Sequence, residues 1–133
     1  MTAQARLNGT LVEWDSAAAA FEQAVREAAQ AKVAWERYAA RKRILLKAEA
    51  AGEGEKLTVP DLNARILADD EDGLYEAAEV SDALVTGLRK RLDLFAAQAD
   101  ACRSEIASER RRQEAWESSP SVPSARDVPG GFR

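Results

Sequence analysis

The chain has 133 residues but no histidine, only one cysteine, and few residues that break helices. The missing histidine removes the side chain most often used for acid–base catalysis and metal binding. Cys102 has no partner for an internal disulfide. The sequence also carries no nucleotide, metal or nucleophile motif of any strength. It therefore predicts a protein that is not an enzyme, with no cofactor, no metal site and no small-molecule substrate.

Large hydrophobic side chains are also scarce, because 28 of the residues counted in the 46% hydrophobic fraction are alanines. No stretch approaches the roughly 20 apolar residues that span a bilayer. The N-terminus lacks the basic start and apolar run of a signal peptide. We therefore expect a soluble cytoplasmic protein with no membrane partner. High alanine and charge content with helical periodicity predicts long helices or a coiled coil.

The fold class predicted is all-α, a long antiparallel helical hairpin of coiled-coil type. Thr10-Leu11-Val12-Glu13 has the spacing of a capping box, which predicts the start of the first helix. Thr58 followed by Pro60 predicts the start of the second helix. We predict a flexible N-terminus over residues 1–9, a first helix over 10–51 and a turn over 52–60. A second helix over 61–117, broken near 69–73, and a disordered tail over 118–133 are predicted to follow.

Charged residues indicate how the two helices fold together. Folding the chain about residue 56 places side by side positions whose numbers add to about 112. Arg41-Lys42-Arg43 then lies beside the acidic run 69–72, and Arg89-Lys90-Arg91 lies beside Glu22 and Glu27. This arrangement predicts ion pairs that fix the antiparallel register.

Larger apolar residues at helical spacing are expected to pack within the hairpin or between copies of it. A hairpin this thin encloses little core, so we also predict a homo-oligomer. Tyr38, between Arg37 and Arg41, is predicted to be an exposed aromatic that could stack on bases. The predicted packing stripe consists of Trp14, Phe21, Trp35, Leu84, Leu88, Leu92, Phe95, Cys102 and Ile106.

The acidic run resembles part of a calcium-binding loop. Asp70, Asp72, Gly73 and Glu79 match positions 3, 5, 6 and 12 of that pattern. Position 1 is Ala68, so the first carboxylate ligand is missing. The sequence therefore favours a solvated acidic kink over a cation site.

Basic residues form the main candidate nucleic-acid site. For the basic residues at 41–47, the sequence favours a solvated or internally paired helix face over nucleic-acid contact, and the net charge of −4 argues against a uniformly basic surface. The arginines at 110–112 project past the first helix and are the least explained by folding. Guanidinium groups suit phosphate oxygens in charge and geometry. The candidates are Arg41, Lys42, Arg43, Lys47, Arg103, Arg110, Arg111 and Arg112.

Two short segments carry a resemblance to a known family. In the first, an acidic stretch and a helix of spaced leucines are followed by Cys102-Arg103-Ser104-Glu105-Ile106. In the second, Leu46-Lys47-Ala48 lies at the end of the first helix and is followed by Glu49, at a position where the family named below has an arginine. This layout resembles the phage recombination mediators of the UvsY-like type, mainly over residues 40–116. The resemblance implies a non-enzymatic protein that helps to load a recombinase or annealing protein on single-stranded DNA, in competition with a single-strand-binding protein. For a phage-encoded chain, it implies the host cytoplasm.

Two other classes remain open. The apolar stripe along residues 84–106 suits a coiled-coil protein-interaction or assembly module, such as a phage scaffold or a protein that binds a host factor, without nucleic-acid binding. Tyr75 and Glu79 form a Tyr-x-x-x-acid pattern that resembles the small helical hairpins of type VII export. Those proteins usually carry Trp-x-Gly between their helices, whereas this turn is Gly52-Glu53-Gly54.

Overall fold

The structure, a computed structural model, describes residues 1–118. These residues form three helices and no strand: α1 (Ala3–Glu53), α2 (Val59–Ala68) and α3 (Leu74–Ser118). α1 and α3 pack along each other, so the predicted all-α hairpin is confirmed. The tail predicted to be disordered lies outside the described residues, apart from Ser118, which ends α3. At 1.5 Å per residue, the 51 residues of α1 make a rod of about 75 Å.

α1 begins at Ala3, so the prediction of a flexible N-terminus over residues 1–9 is wrong. The hydroxyl of Thr2 accepts a hydrogen bond from the amide of Ala5 at 3.1 Å and caps the helix. Leu7 is buried against α3, which anchors these first turns. Thr10, the cap expected from the sequence, is a half-buried residue inside the helix. Packing against α3 outweighs the local capping signal.

Two glycines with positive φ lie next to helix termini, in the stretches where the sequence predicts interruptions. Gly54 adopts a left-handed φ of 71° just after α1, a conformation that glycine reaches without steric cost. Thr58 then caps α2 by accepting a hydrogen bond from the amide of Asp61 at 3.3 Å. Gly73, with φ of 66°, precedes α3. The break predicted near 69–73 is confirmed and separates α2 from α3.

The seam between α1 and α3 follows a heptad pattern. Buried and half-buried residues recur every three and four positions, the mean period of 3.5 that is typical of left-handed coiled coils. In α1, large residues are interspersed with alanines that let the helices approach closely. The seam residues of α1 include Ala3, Leu7, Trp14, Ala17, Phe21, Ala24, Ala28, Ala31 and Trp35. Those of α3 are Leu74, Ala78, Ser81, Val85, Leu88, Leu92, Phe95, Ala99, Cys102 and Ile106.

Leu84 does not belong to this seam, although the sequence stripe included it. Its side chain is 50% exposed, whereas the adjacent Val85 is half-buried between the helices. The heptad spacing back from Leu88 and Leu92 arrives at Val85 and Ser81, and therefore passes Leu84 by one residue. Leu84 consequently faces away from α1.

The register of the hairpin is close to the one predicted. Residue numbers add to about 110 in the ion pairs Arg6–Glu105 and Lys42–Asp69 and in the contact between the Trp35 and Tyr75 rings. The base-to-acid contact predicted between 41–43 and 69–72 is therefore present at Lys42.

The ion pairs predicted between 89–91 and Glu22 or Glu27 are not among the salt bridges of residues 1–118. The Arg89 guanidinium instead lies 5.8 Å from the centre of the Phe21 ring, and that of Arg91 lies 5.5 Å from the centre of the Phe95 ring. A guanidinium over an aromatic face is attracted to its π electrons while its stem covers the ring. Cation–π contacts therefore occupy these arginines.

Candidate nucleic-acid interface

The basic residues near the end of α1 are held in two different ways. The Nζ of Lys42 lies 3.1 Å from a carboxylate oxygen of Asp69, and a guanidinium nitrogen of Arg43 lies 3.4 Å from the side-chain oxygen of Asn63. Arg41 and Lys47 are exposed, and neither forms an ion pair with another described residue. Folding thus divides the predicted cluster into two anchored residues and two that face solvent.

The Lys42–Asp69 pair affects the ionisation of the lysine. The hydrogen bond to Asp69 and the charge of its carboxylate raise the pKa of the Lys42 amine above its ordinary value. Both side chains remain partly exposed to water, so the pair adds little to stability, as is usual for surface ion pairs. Its structural effect is to tie α1 to the end of α2 and to neutralise the centre of the Arg41-Lys42-Arg43 cluster.

Tyr38 is not the exposed stacking residue that the sequence suggested. Its ring is half-buried beside Trp35, with ring centres 5.8 Å apart, and it packs on the cluster of Leu46, Leu62 and Ile66. Its hydroxyl donates a hydrogen bond to the backbone carbonyl of Ile66 at 3.0 Å. Burial raises the pKa of the phenol. The residue therefore joins α1 to α2 and does not present a free aromatic face.

Trp35 connects that cluster to the start of α3. Its ring meets the Tyr75 ring edge-on, with centres 5.1 Å apart. Trp14, at the other end of the hairpin, packs on the cluster of Leu7, Ala99 and Cys102, together with Ile106. Both tryptophans thus lie in the seam. Trp116, by contrast, is 82% exposed near the end of α3.

The acidic kink is organised around the start of α3. The two carboxylate oxygens of Asp70 accept hydrogen bonds from the amides of Leu74 and Tyr75, each at 2.9 Å. A carboxylate in this position caps free amides and matches the positive end of the helix dipole. Within the described part of the chain, no group of three or more acidic or cysteine side chains could hold a metal ion. Asp70 is therefore a helix cap.

The last ten residues of α3, 109–118, extend past the start of α1, and we call them the α3 extension. Arg6, near the start of α1, pairs with Glu105 of α3. The α3 extension therefore has no α1 residue alongside it. Arg110, Arg111 and Arg112 are all exposed there. Arg111 contacts the Ser108 hydroxyl at 3.3 Å, and none of the three forms an ion pair with a described residue.

Arg103 differs from those three arginines. It lies 3.5 Å from the carboxylate of Asp100 one turn earlier on the same helix, although its side chain remains largely exposed. The Arg6–Glu105 pair nearby was not predicted from the sequence, because Arg6 fell in the supposed flexible end. The opposite charges of the two residues, at numbers that satisfy the predicted register, were the signal that could have revealed it.

Open grooves run along the flanks of the hairpin. One lies between α1 and α3 and is lined by apolar and charged side chains together, among them Val25, Trp35, Asp82, Val85 and Arg89. These five residues do not include a nucleophile beside a base, which is the arrangement that covalent catalysis requires. No helix within residues 1–118 combines the length and the hydrophobicity that crossing a bilayer would need.

The two solvent-facing basic groups lie at opposite ends of the hairpin. Arg41 and Lys47 are near the turn, and the arginines of the α3 extension are at the far end, about 60 Å away at 1.5 Å per helical residue. The first group provides two positive charges and the second provides three. Comparison of the chain with protein-family models, curated proteins and solved structures finds no match.

Proposed function

We propose that this protein is a non-enzymatic recombination mediator of phage type, which helps to load a recombinase or annealing protein on single-stranded DNA. The observation that carries the proposal is the α3 extension, where Arg110, Arg111 and Arg112 are exposed and lack ion pairs with other described residues. Three guanidinium groups fanned around one helix can contact phosphates along a flexible strand.

Arg41 and Lys47 supply a second set of contacts at the other end of the hairpin. Each set is too small to hold DNA firmly. Several weak phosphate contacts on linked sites nevertheless sum to a useful affinity, which depends strongly on salt because each contact releases counterions. A homo-oligomer would repeat both sets and hold one strand at many points. This mechanism is compatible with a chain whose net charge is −4.

In this proposal, the protein acts by positioning DNA. A strand held by separated arginines keeps its bases accessible, because backbone contacts carry no base recognition. A recombinase could then replace a single-strand-binding protein on the exposed bases. The partners are single-stranded DNA and one of these two proteins, and the proposed location is the cytoplasm.

The second candidate is a coiled-coil interaction or assembly module that does not bind nucleic acid. It is favoured by the apolar side chains that the hairpin leaves uncovered on α3, notably Val80, Leu84 and Leu94. Exposed apolar residues along one helix suit the groove of a helical partner. The two candidates differ in whether the basic or the apolar residues are the functional ones.

Binding of labelled oligo-dT across a salt series, with light scattering on the same sample, tests the first candidate. We expect affinity that falls steeply with salt and a particle larger than one chain. Reversal of Arg110, Arg111 and Arg112 to glutamate should weaken binding, with helicity unchanged by circular dichroism. Absence of binding even at low salt would exclude the mediator and leave the interaction module.

A further inference from the structure

α3 carries a second row of residues that does not face α1. Val80, Leu84, Gly87 and Leu94 are all exposed, and they recur at intervals of four, three and seven positions. This spacing places them on one side of the helix, next to the seam but outside it. We call these four residues the outer face. Its three large side chains are 61%, 50% and 55% exposed, respectively.

Gly87 forms a notch in this face. It lies inside a 45-residue helix, where glycine is less favourable than alanine because it loses more conformational freedom. Its φ is not left-handed, so the backbone does not require glycine here. A Cβ atom placed on it would meet nothing within 4 Å, so packing within the hairpin does not require glycine either. A missing side chain on an exposed helix surface does, however, let another helix approach closely.

We propose that the outer face binds a second copy of this chain, with the two α3 helices antiparallel and Leu84 of each copy inserted into the notch at Gly87 of the other. Leu84 and Gly87 are neighbours one turn apart, so a single two-fold axis creates both contacts. The same axis places Val80 opposite Arg91, whose aliphatic stem can cover it, and Leu94 opposite Ala77.

The charges of α3 favour the antiparallel orientation. Between Leu74 and Gly87, the helix carries Glu76, Glu79 and Asp82 and no basic residue, and Arg89-Lys90-Arg91 follows directly. A parallel pair would place acidic residues beside acidic ones. An antiparallel pair places the basic segment of each copy beside the acidic segment of the other, which is the complementarity that selects orientation in coiled coils.

The hairpin itself offers a reason for this docking. The α1–α3 seam buries one side of each helix and leaves a core of small clusters with many half-buried members. Pairing two hairpins through α3 adds a second seam and produces a four-helix arrangement with more enclosed apolar surface. The docked state does not require DNA, so the inference stands or fails apart from the proposed function.

Light scattering of the full chain at increasing concentration tests the dimer. We expect a mass of twice the 14.5 kDa of one chain. Leu84→Glu should reduce the mass to that of one chain, because the dimer would bury a carboxylate opposite Gly87. Gly87→Leu should do the same by filling the notch. That second variant should raise α-helix content and thermal stability of the monomer, so dissociation could not be attributed to misfolding.

Val12→Glu is the matched control, because Val12 is 71% exposed on α1 and lies outside the outer face. It should leave the dimer intact. A wild-type chain that stays monomeric would overturn the proposal, as would a Gly87→Leu variant that stays dimeric or a Val12→Glu variant that dissociates equally. Oligo-dT binding measured on the same variants separates this outcome from failure of the mediator proposal.

Spin labels report the orientation. A label at position 101, in a Cys102→Ala background that removes the buried native thiol, lies about 15 residues from the proposed axis. In an antiparallel dimer, the two labels should be separated by on the order of 45 Å at 1.5 Å per residue. A separation on the order of 10 Å would show parallel helices and would also overturn the proposal.

Discussion

The hydroxyl of Tyr38 on α1 donates a hydrogen bond to the backbone carbonyl of Ile66 on α2, with 3.0 Å between the two oxygens. Ile66 is almost completely buried, and its carbonyl is close to the end of its helix. The bond ties α2 to α1 just before the kink that leads into α3. Tyr38, which the sequence suggested as a base-stacking residue, therefore has a structural role in joining α1 to α2.

Replacing Tyr38 by phenylalanine should destabilise the hairpin. The change removes the hydroxyl and leaves the Ile66 carbonyl without this donor, which typically costs about 0.5–1.5 kcal/mol. Urea unfolding, monitored by circular dichroism, measures this loss in the free energy of unfolding. Tyr75→Phe is the control, because Tyr75 makes a ring contact with Trp35 and no side-chain hydrogen bond among the described residues. Equal stability of the Tyr38 and Tyr75 variants would contradict the assigned role.

The same residue should make stability depend on alkaline pH. Burial raises the pKa of Tyr38 above its ordinary value of 10.0, so the folded state holds the proton more tightly than the unfolded state. That contribution is complete below the unfolded pKa and is lost as pH rises through the folded pKa. Lys42, whose pKa Asp69 raises above 10.5, acts in the same direction.

We therefore expect the free energy of unfolding to fall as pH is raised beyond about 10, and to fall less in Tyr38→Phe than in the wild type. Urea titrations at several alkaline pH values test this. A Tyr38→Phe curve as steep as that of the wild type would show that other groups cause the pH dependence.

Asp70→Ala should weaken the start of α3. The carboxylate of Asp70 accepts hydrogen bonds from the amides of Leu74 and Tyr75, and loss of such a cap costs about 1 kcal/mol. Thermal unfolding should show a lower Tm. Asp72→Ala is the matched control, since Asp72 is exposed in the same kink and makes no side-chain hydrogen bond in the described chain. The cap assignment fails if both variants lose stability equally.

Neutralising Lys47 should reduce oligo-dT affinity more than neutralising Lys42. Lys47 is exposed without an ion pair among residues 1–118, whereas Asp69 already neutralises Lys42. Glutamine at either position removes one positive charge and keeps a polar side chain. Fluorescence anisotropy at low salt gives the two Kd values. A larger loss in Lys42→Gln would mean that the ion pair opens when DNA binds.

Reversal of Arg110, Arg111 and Arg112 to glutamate should flatten the salt dependence of oligo-dT binding. Losing three phosphate contacts should reduce the slope of log K against log salt by about 2, since each contributes about 0.7 on single strands. Arg111→Glu alone should be compared with Arg26→Glu, a charge-matched reversal at an exposed residue midway along α1. If Arg26→Glu weakens binding as much as Arg111→Glu, net charge rather than the α3 extension controls affinity.

Several features were predictable because they depend on local patterns. Gly54 and Gly73, together with the caps near Pro60, mark the ends of helices through backbone preferences that act within a few residues. The contact of Lys42 with Asp69 was predictable because opposite charges at matching distances from the turn favour one register.

Other features required the neighbouring helix. Thr10 has the local pattern of a cap, but Leu7 reaches a buried site on α3 and extends the helix to Ala3. Leu84 and Val85 are adjacent apolar residues, and only the heptad phase set by α1 decides which of them is covered. It was hardest to predict which basic residues are held by contacts within the hairpin and which face solvent, since Arg41 and Lys42 are adjacent and have the same charge.

The sequence by itself determined the helices, the turn, the kink and the approximate antiparallel register, because capping, glycine conformation and charge spacing act over short distances along the chain. Tertiary structure alone decided that Arg41 and Lys47 face solvent, that Tyr38 is bonded to Ile66, and that Leu84 and Gly87 lie uncovered together. These outcomes depend on which side of each helix meets its neighbour, and a shift of one residue rotates a helix by about 100°.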